Sequence, residues 1–263
     1  MDLGLRGKVA IVGGGSAGLG RGVAGSLAAE GAALVLVARG KAELARAASE
    51  LRAKFGVAVL EVASDLSDPA SAERIVSETL REFSAVHILV NNSGGPPTAP
   101  FEQMTDELWQ TGFELTMMSA VRLMRAVLPH MRKQRWGRIV TINSIAGKQP
   151  IPGGLLSSTY RPGLIGLSKA LTAELAKDGI LINNVCPGFV MTEKQRLHTL
   201  SRAEAAGLTA DEYLVDHVKE IPLGRYGEPE EIGDFVAFLA SERASYVTGA
   251  AFSVDGGMAQ GLL

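Results

Sequence analysis

Seven short aliphatic runs punctuate the chain, at 9–12, 34–38, 57–62, 86–90, 138–142, 180–185 and 251–254. Runs this short, rich in Val, Ile and Leu, predict strands buried on both faces of a parallel sheet. Between them lie amphipathic segments with helical spacing, near 19–29, 41–54, 69–83, 105–133, 162–178 and 229–241. Strand and helix alternating in this way predict right-handed βαβ crossovers. The fold expected is α/β: one Rossmann-type domain over 1–263, a doubly wound parallel sheet of about seven strands. The rhythm breaks at 193–222, a charged, Ala-rich helical insertion placed where a lid or substrate loop could lie.

Two boundaries have a local cause. Gly179 follows Ala176-Lys177-Asp178 and can take the left-handed conformation that ends a helix. Pro162 suits a first helical position and pushes its predecessor out of the α region, so Arg161 is expected just ahead of the regular helix.

Composition narrows the function classes. The chain has 263 residues, 46% hydrophobic, with 31 glycines and a formal net charge of −2. That charge gives no reason to expect nucleic acid or an anionic membrane as partner. No apolar run approaches the roughly 18 residues of a membrane span, and no signal peptide is evident, so a soluble cytoplasmic protein is expected. Cys186 is the sole cysteine; an internal disulfide is impossible and a core role is the plainer reading. His87, His130, His198 and His217 are scattered without metal spacing, so no metal is expected.

The candidate chemistry begins after the first strand. Gly13-Gly14-Gly15-Ser16-Ala17-Gly18-Leu19-Gly20 leads into a helix. Glycines there permit a tight turn and close backbone approach, and the helix N-terminus offers free N–H groups to a pyrophosphate. Gly14, Ser16, Ala17, Gly18, Leu19 and Gly20 are therefore candidate cofactor contacts. The second strand ends in Arg39, where an NAD enzyme would carry an acidic residue; an arginine suits the 2′-phosphate of NADP. A solvated surface arginine is the competing reading.

With these, several downstream segments resemble the short-chain dehydrogenase/reductase family, most closely its β-ketoacyl-carrier-protein-reductase-like branch. Asp65-Leu66 resembles the acidic position near the adenine. Asn91-Asn92-Ser93-Gly94 resembles the Asn-Asn-Ala-Gly motif that shapes the cofactor cleft, implicating Asn92 and Gly94. Asn143-Ser144 resembles the strand end that carries the catalytic serine. Pro187-Gly188-Phe189-Val190-Met191-Thr192 resembles the segment that contacts the nicotinamide carboxamide, implicating Pro187, Gly188, Val190 and Thr192. Tyr246-Val247-Thr248-Gly249 through Gly257 resembles the C-terminal signature. The resemblance implies NADP-dependent hydride transfer to a small carbonyl or from an alcohol, and a homotetramer joined partly through 105–133 and 162–178.

The same resemblance exposes a departure. In register, the family's tyrosine falls on Ser157, its lysine on Arg161 and its asparagine on Thr116, leaving only Ser144 of four catalytic positions. Tyr160 stands three residues from the tyrosine position. One expectation is a reductase in which Ser144 polarises the oxygen, Tyr160 is a displaced proton donor and Arg161 supplies the cation near the ribose. Arg161 cannot shuttle a proton, since its pKa exceeds about 12. The rival is a nucleotide-binding relative that has lost hydride transfer and serves as a sensor or partner subunit. A third reading is a different reaction in the same cleft, such as a lyase or epimerase step.

Overall fold

A computed structural model of the protein describes residues 2–261; the side chains of His198 and His217, two of the four histidines weighed for a metal, lie outside that description. Seven parallel strands form one sheet: β1 (Val9–Gly13), β2 (Ala33–Ala38), β3 (Val59–Ala63), β4 (Ile88–Asn91), β5 (Gly137–Ile142), β6 (Ile180–Pro187) and β7 (Ala251–Val254). Their order is β3-β2-β1-β4-β5-β6-β7. The direction of winding reverses between β1 and β4, so a crevice opens there beyond the strand ends.

The expectation of buried strands holds because helices cover both faces. Val12, Leu36, Val90, Val140 and Val185 pack against α1 (Gly18–Ala29), α2 (Lys41–Phe55) and α9 (Pro229–Leu239). Ile11, Val35, Leu89, Ile139 and Ile182 face the opposite layer, α3 (Ser71–Phe83), α5 (Ser119–Gln134) and α6 (Leu155–Leu175). Each such side chain contributes about 1.5–3 kcal/mol by leaving water. The closest helix contact depends on missing side chains: a Cβ on Gly22 would come within 2.6 Å of the Pro229 carbonyl, drawing α1 onto α9.

Two helical expectations are corrected. The segment 105–133 is not one regular helix. It comprises α4 (Asp106–Phe113), a π-helical turn (Glu114–Met118) and α5. The extra residue of the π turn re-aims Thr116, and such turns are frequent at functional sites. Pro162 does not open its helix either. α6 begins at Leu155, and Arg161 lies inside it. Proline's fixed φ is already helical, so the main cost is the hydrogen bond that the Ser158 carbonyl lacks. Burial of Leu156 and Leu164 on the same helix holds the segment in place. The insertion forms α7 (Glu193–Ala206), α8 (Ala210–His217) and a short turn (Val218–Glu220). No described helix is long and apolar enough to cross a membrane.

Candidate active site

The Gly-rich turn is built on contacts that exclude side chains. A Cβ on Gly13 would lie 2.5 Å from the Asn92 carbonyl, and one on Gly20 would strike the Gly14 carbonyl. Gly14 and Gly18 have φ of 61° and 54°, the left-handed region glycine tolerates. The turn is pinned by Gly15 N–H donating to Val37 O at 3.1 Å and by Asn92 Nδ2 donating to Gly13 O at 2.9 Å. Ala17 caps α1 without any side-chain hydrogen bond, and no acidic residue stands in the first turn. The first N–H groups of α1 thus keep their positive end for an anion, and the cradle fits a dinucleotide pyrophosphate.

The other cofactor candidates follow the C-terminal ends of the sheet strands. Arg39 is exposed just past β2. The Asp65 carboxyl accepts from Ser67 Oγ at 2.7 Å and Ser67 N–H at 2.9 Å. Those bonds, with Arg39 adding its charge, hold the Asp65 pKa below the usual carboxylate range. Leu66, Asn91, Asn92, Thr116 and Arg161 share the lining of one small cavity. On the far side, Gly188 N–H donates to Val254 O at 3.2 Å, and a Cβ there would meet Asp255 at 2.8 Å. Val190 bridges to Gly227. Thr192 caps α7, its Oγ1 accepting from Gln195 N–H at 3.2 Å. Thr192 also approaches Gly18, so this segment closes against the Gly-rich turn.

Ser144 starts a 3-10 turn (Ile145–Gly147) immediately after β5. Its Oγ accepts from Ala146 N–H at 3.1 Å, which leaves its proton available to an acceptor. Arg161 reaches the same strand end: Nη1 donates to Asn143 O at 2.6 Å and Ile142 O at 3.4 Å. Burial lowers the Arg161 pKa from the ordinary arginine range. Ser157 stands one turn earlier on the same helical face, at i, i+4 from Arg161.

Tyr160 is not brought to this group. Its hydroxyl donates to the Trp109 carbonyl at 3.1 Å, and its ring meets Trp109 and Phe113 edge-on at 6.0 and 5.8 Å. Loss of water around the phenol raises its pKa. This geometry holds the Tyr160 hydroxyl on Trp109, apart from the Ser144 and Arg161 group in which a displaced proton donor was expected. In a regular helix Tyr160 and Arg161 point about 100° apart, and the Tyr160 ring packs on Trp109 and Phe113 of α4. Cys186 is buried, and burial pushes its thiol pKa up, as suits a core residue.

Three buried polar groups gain a setting in the structure that the sequence does not give. Thr116 was placed only by register; its Oγ1 has no partner and faces the cavity shared with Arg161. Asn143 and Asn184 form a side-chain pair at 3.2 Å. The available signal was polar residues inside or abutting aliphatic strands, where an amide needs a reason.

The comparisons decide the family. The sequence model described as enoyl-(acyl carrier protein) reductase matches residues 14–259. The chain is 38% identical over 254 residues to 3-oxoacyl-[acyl-carrier-protein] reductase FabG of Escherichia coli, covering 97% of this chain and 98% of that protein. This chain belongs to the short-chain dehydrogenase/reductase family. Its kinship with the ketoacyl-reductase branch recurs at 34% identity in FabG of Aquifex aeolicus, over 98% of this chain and 100% of the relative. Among solved structures, L-sorbose reductase from Gluconobacter frateurii, complexed with NADPH and L-sorbose, superposes at TM-score 0.96 with 39% identity and full coverage of both chains. Actinorhodin polyketide ketoreductase with NADPH superposes at 0.89 with 32% identity, over 97% of this chain and 98% of that one. This short-chain dehydrogenase/reductase family member shares their fold throughout, while carrying Ser157 and Arg161 where the family register predicts tyrosine and lysine.

Proposed function

We propose that this protein is an NADPH-dependent carbonyl reductase that works without a phenolic proton donor. When bound, the dihydronicotinamide would supply hydride to the carbonyl carbon. The chain's own part is binding, orientation and polarisation. Gly14, Ser16, Ala17, Gly18, Leu19 and Gly20, with the N-terminus of α1, hold the pyrophosphate. Arg39 would meet the 2′-phosphate, Asp65 and Leu66 would lie by the adenine, Asn92 and Gly94 would wall the cleft, and Pro187, Gly188, Val190 and Thr192 would seat the carboxamide. The NADPH held by L-sorbose reductase and by the ketoreductase supports the choice of cofactor.

Ser144 carries the chemical reading. Its Oγ accepts from Ala146 N–H, which leaves the hydroxyl proton free to be donated to a carbonyl oxygen as negative charge grows there. Proton delivery then falls to water. An aliphatic alcohol at Ser157 is too weak an acid, and Arg161 holds its proton too tightly. A positioned general acid contributes about 10²–10⁴-fold, so turnover should be slow by that factor. α7 and α8 act as a lid, and α5 and α6 join subunits of a homotetramer.

The second reading, a nucleotide-binding relative without hydride transfer, draws its support from the Tyr160 hydroxyl, which is engaged by Trp109. Fluorescence titration with NADPH and NADH, followed by turnover on a panel of ketones, separates the two. Tight NADPH binding with slow reduction is expected. Binding without any product favours the second reading, and no binding at millimolar concentration overturns both.

A further inference from the structure

Arg161 stands at the family's lysine position, yet its guanidinium donates to the protein backbone. Both leave from Nη1 and end on the carbonyls of Ile142 and Asn143, the last two residues before Ser144. Asn143 returns the contact. Its Nδ2 donates to the Arg161 carbonyl at 3.1 Å and to Asn184 Oδ1 at 3.2 Å. Its own N–H donates to Val185 O at 2.7 Å. Asn184 sits on β6 in register with Thr141 of β5, with 1% exposure. The end of β5, α6 and β6 are thereby stitched together directly behind Ser144.

The orientation of the two amides follows from the acceptors. The Arg161 carbonyl can only accept, which turns Asn143 Nδ2 towards it, and Asn184 then presents Oδ1 to the same Nδ2. That arrangement leaves Asn143 Oδ1 and Asn184 Nδ2 buried without partners. Two unpaired buried atoms are unfavourable, and apolar residues of similar shape would leave none.

We infer that Asn143 and Asn184 are positioning residues that lock Arg161 onto the β5 end, so that Arg161 holds Ser144 in place instead of standing in for the family's lysine. Arg suits this role because its planar fork donates in fixed directions, whereas a lysine ammonium is a point charge on a flexible stem. The inference rests on the reading of Ser144 as the carbonyl-binding group, but its first test does not need turnover.

The test uses the full-length protein with Asn184→Val and Arg161→Lys. Hydrogen exchange of the peptide spanning residues 142–148 is measured by mass spectrometry, beside the melting temperature and the Kd for NADPH. For Asn184→Val the tether predicts about tenfold faster exchange in this peptide, with no lower melting temperature and NADPH affinity within about twofold. Where ketone reduction is measurable, kcat should fall about fivefold to tenfold with KM for NADPH unchanged. Arg161→Lys should loosen the same peptide. If Arg161 instead replaces the family's lysine, its lysine variant should keep the peptide protected and bind NADPH as well or better. That result, or unchanged exchange in Asn184→Val, overturns the tether. Absence of ketone turnover in the unmodified protein would count against the reductase alone, since exchange still decides the tether.

Discussion

Replacing Tyr160 with phenylalanine separates a strut from a catalyst. The substitution removes one neutral hydrogen bond, that from the phenol to the Trp109 carbonyl, and keeps the ring contacts with Trp109 and Phe113. Such a bond contributes about 0.5–1.5 kcal/mol. For a chain of this length a loss of about 1 kcal/mol lowers the melting temperature by roughly 2–4 °C. Removing the ring with Tyr160→Ala should cost more, about 2–3 kcal/mol, below the roughly 3–5 kcal/mol of a fully buried aromatic because Tyr160 is only half-buried. Turnover should stay within about twofold of the unmodified protein in the phenylalanine variant. The assay pairs thermal unfolding with NADPH oxidation against a reducible ketone. A loss of tenfold or more in kcat, at a melting temperature lowered by only a few degrees, would refute the placement of Tyr160 outside the chemistry.

Other predictions follow from the same geometry. Ser157→Tyr returns a phenol one helical turn from the Arg161 cation; kcat should rise by about 10²-fold or more, and no gain in a folded variant that still binds NADPH would contradict the missing-acid account. Arg39→Ala should weaken NADPH about 10–100-fold while NADH changes little, since only the 2′-phosphate contact is lost; equal effects on both in fluorescence titrations would contradict the assignment. His87 accepts the Val9 N–H at Nδ1 (3.1 Å), and burial, with Lys8 nearby, lowers its pKa. The unfolded chain therefore takes up that proton first. Stability from this site should be complete above about pH 6.5 and decline as the pH falls towards the depressed folded value. Urea unfolding of the protein and of His87→Gln at pH 7.5 and 5.5 should show a shallower pH dependence in the variant.

Much of the fold was legible because strand burial leaves a strong mark. The seven aliphatic runs became seven strands, displaced by a few residues at their ends, since a buried parallel strand tolerates little else. The Gly-rich turn was equally readable, because Gly13 and Gly20 are required by backbone contacts and Gly14 by its left-handed φ. Helix boundaries were less legible. Pro162 carried a sound local signal for a first turn, but buried Leu156 and the Arg161 bonds to β5 extended the helix backwards across it. That shift decides where Tyr160 points, so one misplaced boundary altered the reading of the site. The π turn around Thr116 left no periodic trace in the sequence. The Asn143–Asn184 pair spans 41 positions, and no local pattern reveals a contact of that separation.

The central claim is hydride transfer from NADPH to a carbonyl at Ser144. It is tested most directly by incubating the protein with NADPH deuterated at nicotinamide C4, each epimer in turn, and a ketone panel, then analysing the alcohols by mass spectrometry. The account predicts deuterium at the carbinol carbon with one epimer only, diminished about 10²-fold in Ser144→Ala. Saturable NADPH binding with no deuterium in any alcohol would contradict it.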